Sequence, residues 1–110
     1  MAKGSQVTLI LDSAKLPMLP GAPRLAEKGF LTGGCKRNRD FLEDKITVDK
    51  SISEGVVEVA FDPQTSGGLL IAVPEKHAAG LTQKLRRNGI KAAAIVGYAV
   101  SAEDARIRLV

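Results

Sequence analysis

The sequence predicts an α+β fold in which a single mixed β-sheet packs with two to three helices. Residues 7–12 alternate between two sets of side chains, which is typical of a strand covered on at least one face. Residues 69–73 and 92–100 form continuous apolar runs, and a helical pattern lies between them. Because strand, helix and strand follow one another, we expect neighbouring strands with a helix on one face. The chain of 110 residues has the length of one domain.

Pro and Gly residues in the first half predict the bounds of two short helices. A Pro-Gly pair opens the first helix over about 21–28, with Leu25 facing inward. Gly29 suits the left-handed residue that ends a helix, and Phe30 is expected to pack back onto it. Residues 32–34 read as a loop.

The second helix is expected to start at Lys36 or Asn38, and residues 46–48 read as a brief extended segment. Residues 51–60 leave two alternatives open, a helical turn or a strand. The Val-rich composition of this segment favours the strand.

The second half predicts two more strands around the longest helix. Residues 69–73 read as a strand buried on both faces, and a helix runs from about 75 to 87. Residues 105–110 predict a last strand near the sheet edge, reached by a hairpin. The apolar stripe of the helix is expected at His77, Ala78, Leu81 and Leu85.

Composition and charge argue against several classes of function. The net charge of +4 is mild, and three Phe and one Tyr are few stacking platforms for single-stranded nucleic acid. We therefore predict no nucleic-acid partner. No run of 18 apolar residues and no hydrophobic leader are present, so we predict no membrane partner. The single Cys35 allows no intrachain disulfide, which fits a cytoplasmic protein.

The segment 62–68, here called the 62–68 loop, is the strongest candidate for a ligand site. Hydroxyls and glycines before an apolar run let backbone N–H groups approach an anion closely. A tight turn that needs glycine for its backbone angles is the alternative. The segment is not a P-loop, because no Lys follows its glycines and because it leads into an apolar strand-like run rather than a helix. Its candidate ligand-binding residues are Asp62, Gln64, Thr65, Ser66, Gly67 and Gly68.

A second candidate segment lies at Lys36, Arg37 and Asn38, beside a glycine pair and a helix start. It either faces a phosphate at the helix N-terminus or forms an ordinary surface with Asn38 as the cap. Cys35 and His77 do not form a convincing nucleophile and base. We predict no catalytic residue and no metal ligand in this chain.

Several ordered stretches carry a resemblance to a known family. Residues 62–74 (DPQTSGGLLIAVP) closely resemble a segment of the selenophosphate synthetases, also called selenide, water dikinases. Residues 16–22 (LPMLPGA), 27–38 (EKGFLTGGCKRN) and 96–98 (VGY) resemble further stretches of that family in the same order. The resemblance runs from about 7 to 110 and points to the family's C-terminal domain. Cys35 falls where Thr is common in the family, not at its catalytic Cys.

The resemblance implies a fold like the C-terminal domain of aminoimidazole ribonucleotide synthetase, a member of the wider superfamily. It divides the chain into a flexible lead-in, 1–6, and one C-terminal domain, 7–110. It implies a kinase, or phosphotransferase, that makes selenophosphate, AMP and phosphate from selenide, ATP and water. The absent N-terminal domain would hold ATP and Mg²⁺, and the full-length enzyme would be a homodimer.

On this reading the chain alone is inactive. One alternative is the C-terminal domain of another ATP-dependent synthetase or kinase of the superfamily. A less favoured alternative is a small basic binding module.

Overall fold

Four strands form one mixed sheet in the computed structural model, which describes residues 1–64 and 66–110. The strands are β1 (Val7–Leu11), β2 (Ile46–Val48), β3 (Gly97–Ser101) and β4 (Ile107–Leu109), in the spatial order β2-β4-β1-β3. The pairs β2–β4 and β4–β1 are parallel, whereas β1–β3 is antiparallel. The α+β class with a single mixed sheet is therefore confirmed.

Within residues 1–64 and 66–110, five helices accompany the sheet, and short 3₁₀ turns follow β1 and precede β2. Two of the helices, α3 and α4, pack together over the β2 side of the sheet. Among the described residues, none of the helices is both long enough and apolar enough to cross a lipid bilayer. The helices are α1 (Ala2–Ser5), α2 (Ala22–Glu27), α3 (Gly33–Leu42), α4 (Glu54–Phe61) and α5 (Glu75–Arg87).

Strand β1 bonds to a neighbour on each side. The backbone N–H and C=O groups of its odd-numbered residues point toward β4, since the N–H of Leu9 donates to the Arg106 carbonyl. The backbone groups of its even-numbered residues point toward β3. This ladder begins just beyond β1, where the Asp12 N–H donates to the Val96 carbonyl over 2.9 Å. Gly97 makes this pairing possible, because a Cβ there would lie 1.9 Å from the carbonyl oxygen of Ile10.

Thr8 ties β1 to the connection between β3 and β4. Its side chain is fully buried, and its hydroxyl donates to the Ala105 carbonyl over 2.7 Å. The same oxygen accepts from the N–H of Glu103 over 2.8 Å. The buried Thr8 hydroxyl thus bonds two backbone groups of this connection, so it is satisfied as a buried polar group requires.

The apolar core lies between the sheet and the α3–α4 pair. Cys35, Val57 and Phe61 are buried at its centre. Val57 and Phe61 are four residues apart and therefore share one face of α4. Leu42, Ile46, Val48 and Ile52 pack around them.

The two helices over the core differ from the sequence prediction. Helix α3 begins at Gly33 rather than at Lys36 or Asn38, because Thr32 is its N-cap and accepts from the Cys35 N–H over 3.3 Å. Residues 54–61 are helical, so the strand favoured for this segment is wrong. Val57 is buried on α4 while Val56 and Val59 are half-buried, and this packing outweighs their strand propensity.

The second half differs most from the prediction. Residues 69–73 form no strand and are exposed, so the expected strand–helix–strand unit is not made. Only the end of the 92–100 run is a strand, β3. Strand β4 lies inside the sheet and parallel to β1, rather than at an edge in a hairpin with β3. The turn held by Thr8 carries the chain past β1 instead of back along β3.

Smaller expectations have mixed outcomes. Gly29 is left-handed as predicted, with φ of 84°. On α2 the buried residue is Ala26, whereas Leu25 and Phe30 are exposed, so their inward packing is wrong. His77 is also exposed, while Ala78, Leu81 and Leu85 of the predicted stripe are half-buried. The expected lead-in 1–6 contains α1, and its separation from a 7–110 domain stays a prediction.

Replacing Gly97 with Ala is expected to destabilise the chain by about 2 kcal/mol, because the added methyl group overlaps the β1 backbone. Urea unfolding followed by circular dichroism measures the change. Gly80→Ala is the matched control. No atom lies within 4 Å of a Cβ at Gly80 in helix α5, so this change should stabilise by about 1 kcal/mol. Equal stability of Gly97→Ala and the unmodified chain would contradict the close approach of β3 to β1.

Candidate functional site

The two candidate segments lie against each other. The Thr32 hydroxyl donates to Asp62 Oδ1 over 3.1 Å, which joins the start of α3 to the start of the 62–68 loop. Gly34 permits this contact, since a Cβ there would lie 2.4 Å from Pro63 Cγ. The glycine before the basic residues therefore has a packing role that the sequence alone did not reveal.

Asp62 braces the loop with both carboxylate oxygens. Oδ1 accepts from Thr32, and Oδ2 accepts from the side-chain amide of Gln64 over 2.7 Å. Asp62 therefore bonds both within its own loop and to the residue that caps α3. Among the described residues, no three His, Cys, Asp or Glu side chains are grouped closely enough to hold a metal ion.

Asn38 joins α3 to the end of α4. It is half-buried in the middle of α3, and its Nδ2 donates to the Phe61 carbonyl over 2.9 Å. A carbonyl at a helix C-terminus lacks an intrahelical partner, so this bond satisfies a group that would otherwise be orphaned. Asn38 therefore holds the backbone from which the 62–68 loop departs, and it does not cap its own helix.

Lys36 and Arg37 remain on the surface beside this contact. The Lys36 ammonium pairs with Asp40 over 3.2 Å, one helical turn away, and both side chains are exposed. An exposed pair of this kind adds little stability and breaks easily for a competing anion. The Arg37 guanidinium lies over the first turn of α3, 3.4 Å from the position of a Cβ at Gly33.

The far half of the loop is open to solvent. Ser66, Gly67 and Gly68 are exposed, and Thr65 lies outside the described residues. A Cβ at Gly67 would lie 3.1 Å from Gln64 Cβ, whereas a Cβ at Gly68 would meet no atom within 4 Å. The loop is therefore braced at Asp62 and Gln64 and unobstructed at its second glycine.

Cys35 is buried at the α3–α4 contact. Its thiol donates to the carbonyl of Glu58 over 3.1 Å and to Oε2 of the same residue over 3.0 Å. Burial, followed by the Glu58 carboxylate, raises the pKa of the Cys35 thiol from 9.0 to about 11. A thiol with this pKa stays protonated at neutral pH, which argues against a nucleophilic role.

An ion-pair cluster that the sequence analysis missed surrounds this thiol. The Arg39 guanidinium contacts both Glu54 and Glu58 from α3 to α4. The hydrogen bond from Cys35 lowers the pKa of Glu58, and Arg39 adds to that shift. Residues 35 and 39 lie on one face of α3, and residues 54 and 58 lie on one face of α4, because each pair is four residues apart. This spacing would indicate the cluster if residues 54–61 were predicted as a helix.

A mostly apolar pocket of about 210 Å³ opens between the sheet and the α3–α4 pair. Asn38 and Asp62 are its polar lining residues, so it adjoins the base of the 62–68 loop. Its walls carry no Lys or Arg and do not suit a phosphate. The apolar lining is Leu11, Leu42, Ile46, Ala60, Phe61, Ile107 and Leu109.

The high pKa of Cys35 predicts a specific loss of stability in alkali. Below about pH 9 the Cys35 thiol is protonated in both the folded and the unfolded chain. Between about pH 9 and 11 the thiol loses its proton only in the unfolded chain. The free energy of unfolding should therefore fall across this range. Urea unfolding at about pH 8 and pH 10.5 measures the fall for the unmodified chain and for Cys35→Ala. A smaller fall in Cys35→Ala is expected, and equal falls would contradict the shifted pKa.

Comparison with known proteins identifies relatives over nearly the whole chain. No protein-family model matches it. It is 41% identical over 107 residues to "Selenide, water dikinase 2" of Peptoclostridium acidaminophilum, covering 97% of this chain and 30% of the relative. It is 42% identical over 97 residues to "Selenide, water dikinase" of Caldanaerobacter subterraneus, covering 88% of this chain and 28% of that protein.

A third relative, "Selenide, water dikinase" of Agathobacter rectalis, is 42% identical over 101 residues, with 92% of this chain and 29% of that protein covered. The chain thus spans about 30% of the length of the curated relatives it matches. This share fits the C-terminal domain indicated by the ordered stretches around the 62–68 loop. The chain belongs to the selenide, water dikinase family, of whose members it matches one domain-sized segment.

Proposed function

We propose that this chain is the C-terminal part of a selenophosphate synthetase and that its 62–68 loop faces the phosphates of the bound nucleotide. Lys36 and Arg37 stand beside the loop as the cations that the phosphates meet. The parent reaction forms selenophosphate, AMP and phosphate from selenide, ATP and water. Identity of 41–42% to three selenide, water dikinases supports this activity over that of another kinase or synthetase.

The observation that carries the proposal is the contrast between the two halves of the loop. Asp62 is held at both oxygens, while Ser66, Gly67 and Gly68 are exposed. A loop braced at one end loses little conformational freedom when an anion binds at the other. Exposed glycine N–H groups and a serine hydroxyl are suitable donors for phosphate oxygens.

The division of labour follows from what this chain contains. ATP and Mg²⁺ bind to the N-terminal domain of the full-length homodimer, which also holds the catalytic groups. This chain closes the cleft and contributes phosphate-facing donors. Cys35 takes no part, because its thiol is buried and bonded to Glu58. The reducing cytoplasm is the expected compartment.

A chimeric enzyme tests the proposal. In the Peptoclostridium acidaminophilum relative, this chain replaces the segment that it matches. The isolated chain is expected to form no AMP from ATP and selenide, whereas the chimera should form AMP in a selenide-dependent manner. AMP formation by the isolated chain would contradict the proposal, as would a cooperatively folding chimera without activity.

Variants of the chimera test the loop itself. Ser66→Ala and Arg37→Gln should each lower kcat/KM for ATP by about 10-fold, the size expected for losing one hydrogen bond to a charged group. Lys76→Gln is the matched control, because Lys76 is an exposed cation on α5. Unchanged kcat/KM in both loop variants would remove the phosphate-facing role while leaving the family assignment intact.

A further inference from the structure

Helix α5 ends at an Asn-Gly pair, which is a chemically labile sequence. Asn88 is the C-cap of the helix, and Gly89 follows it in the left-handed conformation with φ of 92°. Both residues are exposed. We propose that Asn88 is a deamidation site, and that hydrogen bonds at the end of α5 suppress the reaction until the last helical turn opens.

The reaction joins two groups that are neighbours in the chain. The backbone nitrogen of Gly89 loses its proton and attacks the side-chain carbonyl carbon of Asn88. The bond from that carbon to the side-chain nitrogen breaks, the nitrogen leaves as ammonia, and a succinimide ring forms. Water then opens the ring to Asp or to isoaspartate. Because glycine has no side chain to obstruct the attack, the pair reacts wherever its backbone is free to move.

The folded chain keeps both reacting groups in other hydrogen bonds. The N–H of Gly89 donates to the Arg86 carbonyl over 3.1 Å. The Nδ2 of Asn88 donates to the Lys84 carbonyl over 2.8 Å. Ring closure needs the Gly89 nitrogen nearly eclipsed with the Asn88 Cβ, and at the Asn88 ψ of 20° it is rotated well away. The folded helix end is therefore unreactive.

The last turn of α5 has the features of a segment that opens locally. The structure describes every residue of α5, and none of them is buried. Besides the bonds of Asn88 and Gly89, the turn is held by Arg86, whose Nε donates to the Ala93 carbonyl over 2.8 Å at an exposed position. Exposed hydrogen bonds and few buried contacts mark regions that open without global unfolding. The reaction rate should therefore follow the fraction of chains in which this turn is open.

The product of the reaction favours the open turn. An Asp carboxylate at position 88 cannot donate to the Lys84 carbonyl, and it adds negative charge at the negative end of the helix dipole. Isoaspartate also lengthens the backbone between α5 and the segment that leads to β3. Deamidation thus turns a reversible opening into a permanent change. This inference concerns the 110-residue chain itself and does not depend on the proposed function.

Incubation in mildly alkaline buffer, followed by digestion with pepsin in acid and mass spectrometry, tests the proposal. The chain in urea should convert Asn88 at least about 10-fold faster than the folded chain, because the open turn is fully populated there. Asn38 is the internal reference. It bonds the Phe61 carbonyl and precedes the bulky Arg39, so it should convert far more slowly than Asn88 in urea. Equal rates at Asn88 in the folded and the urea-unfolded chain would overturn the proposal, as would no conversion in urea.

Two substitutions distinguish opening of the last turn from unfolding of the whole chain. Arg86→Gly removes a good helix former and the bond to Ala93, so conversion in the folded chain should rise by about 5-fold. Lys76→Gly is the matched control, because Lys76 is an exposed cation in the first turn of the same helix, and its rate should be unchanged. Both variants should convert at the rate of the unmodified chain in urea. Equal acceleration by the two variants would contradict control by the last turn, and so would no acceleration by Arg86→Gly.

Discussion

The fold depends on the insertion of β1 between the two last strands of the chain. This strand bonds to β4 on one side and to β3 on the other, so residues about 90 positions apart meet in one sheet. Gly97 allows the backbones to approach, and the buried hydroxyl of Thr8 holds the turn between β3 and β4. Because α3 and α4 pack on this sheet, their positions follow from it.

The candidate site is a consequence of how α3 and α4 pack. Asn38 bonds the end of α4, and Thr32 bonds the residue that follows it. Both contacts come from α3, so the base of the 62–68 loop is held by a helix that is itself fixed to the core. The buried thiol and ion-pair cluster between the helices stabilise the same contact, which gives these polar residues a structural role beside the proposed phosphate-facing surface.

The structure also explains why the chain has unpartnered apolar surface. Residues 69–73 have the composition of an interior strand, yet they follow an exposed loop and are not incorporated in the sheet. The sheet instead ends at β3, whose outward backbone groups can accept another strand.

Local signals in the sequence determined the elements that depend on neighbouring residues alone. They include β1 from its alternation, α5 from its stripe and the helix end at Gly29, which is left-handed in the structure. The ordered stretches around 62–68 also determined the family. Tertiary structure alone decided that residues 54–61 are a helix and that β4 lies inside the sheet. It also placed Asn38 and Asp62 in hydrogen bonds that hold the base of the 62–68 loop. Each of these outcomes depends on contacts between residues distant in the chain, and periodicity along a single segment does not record them.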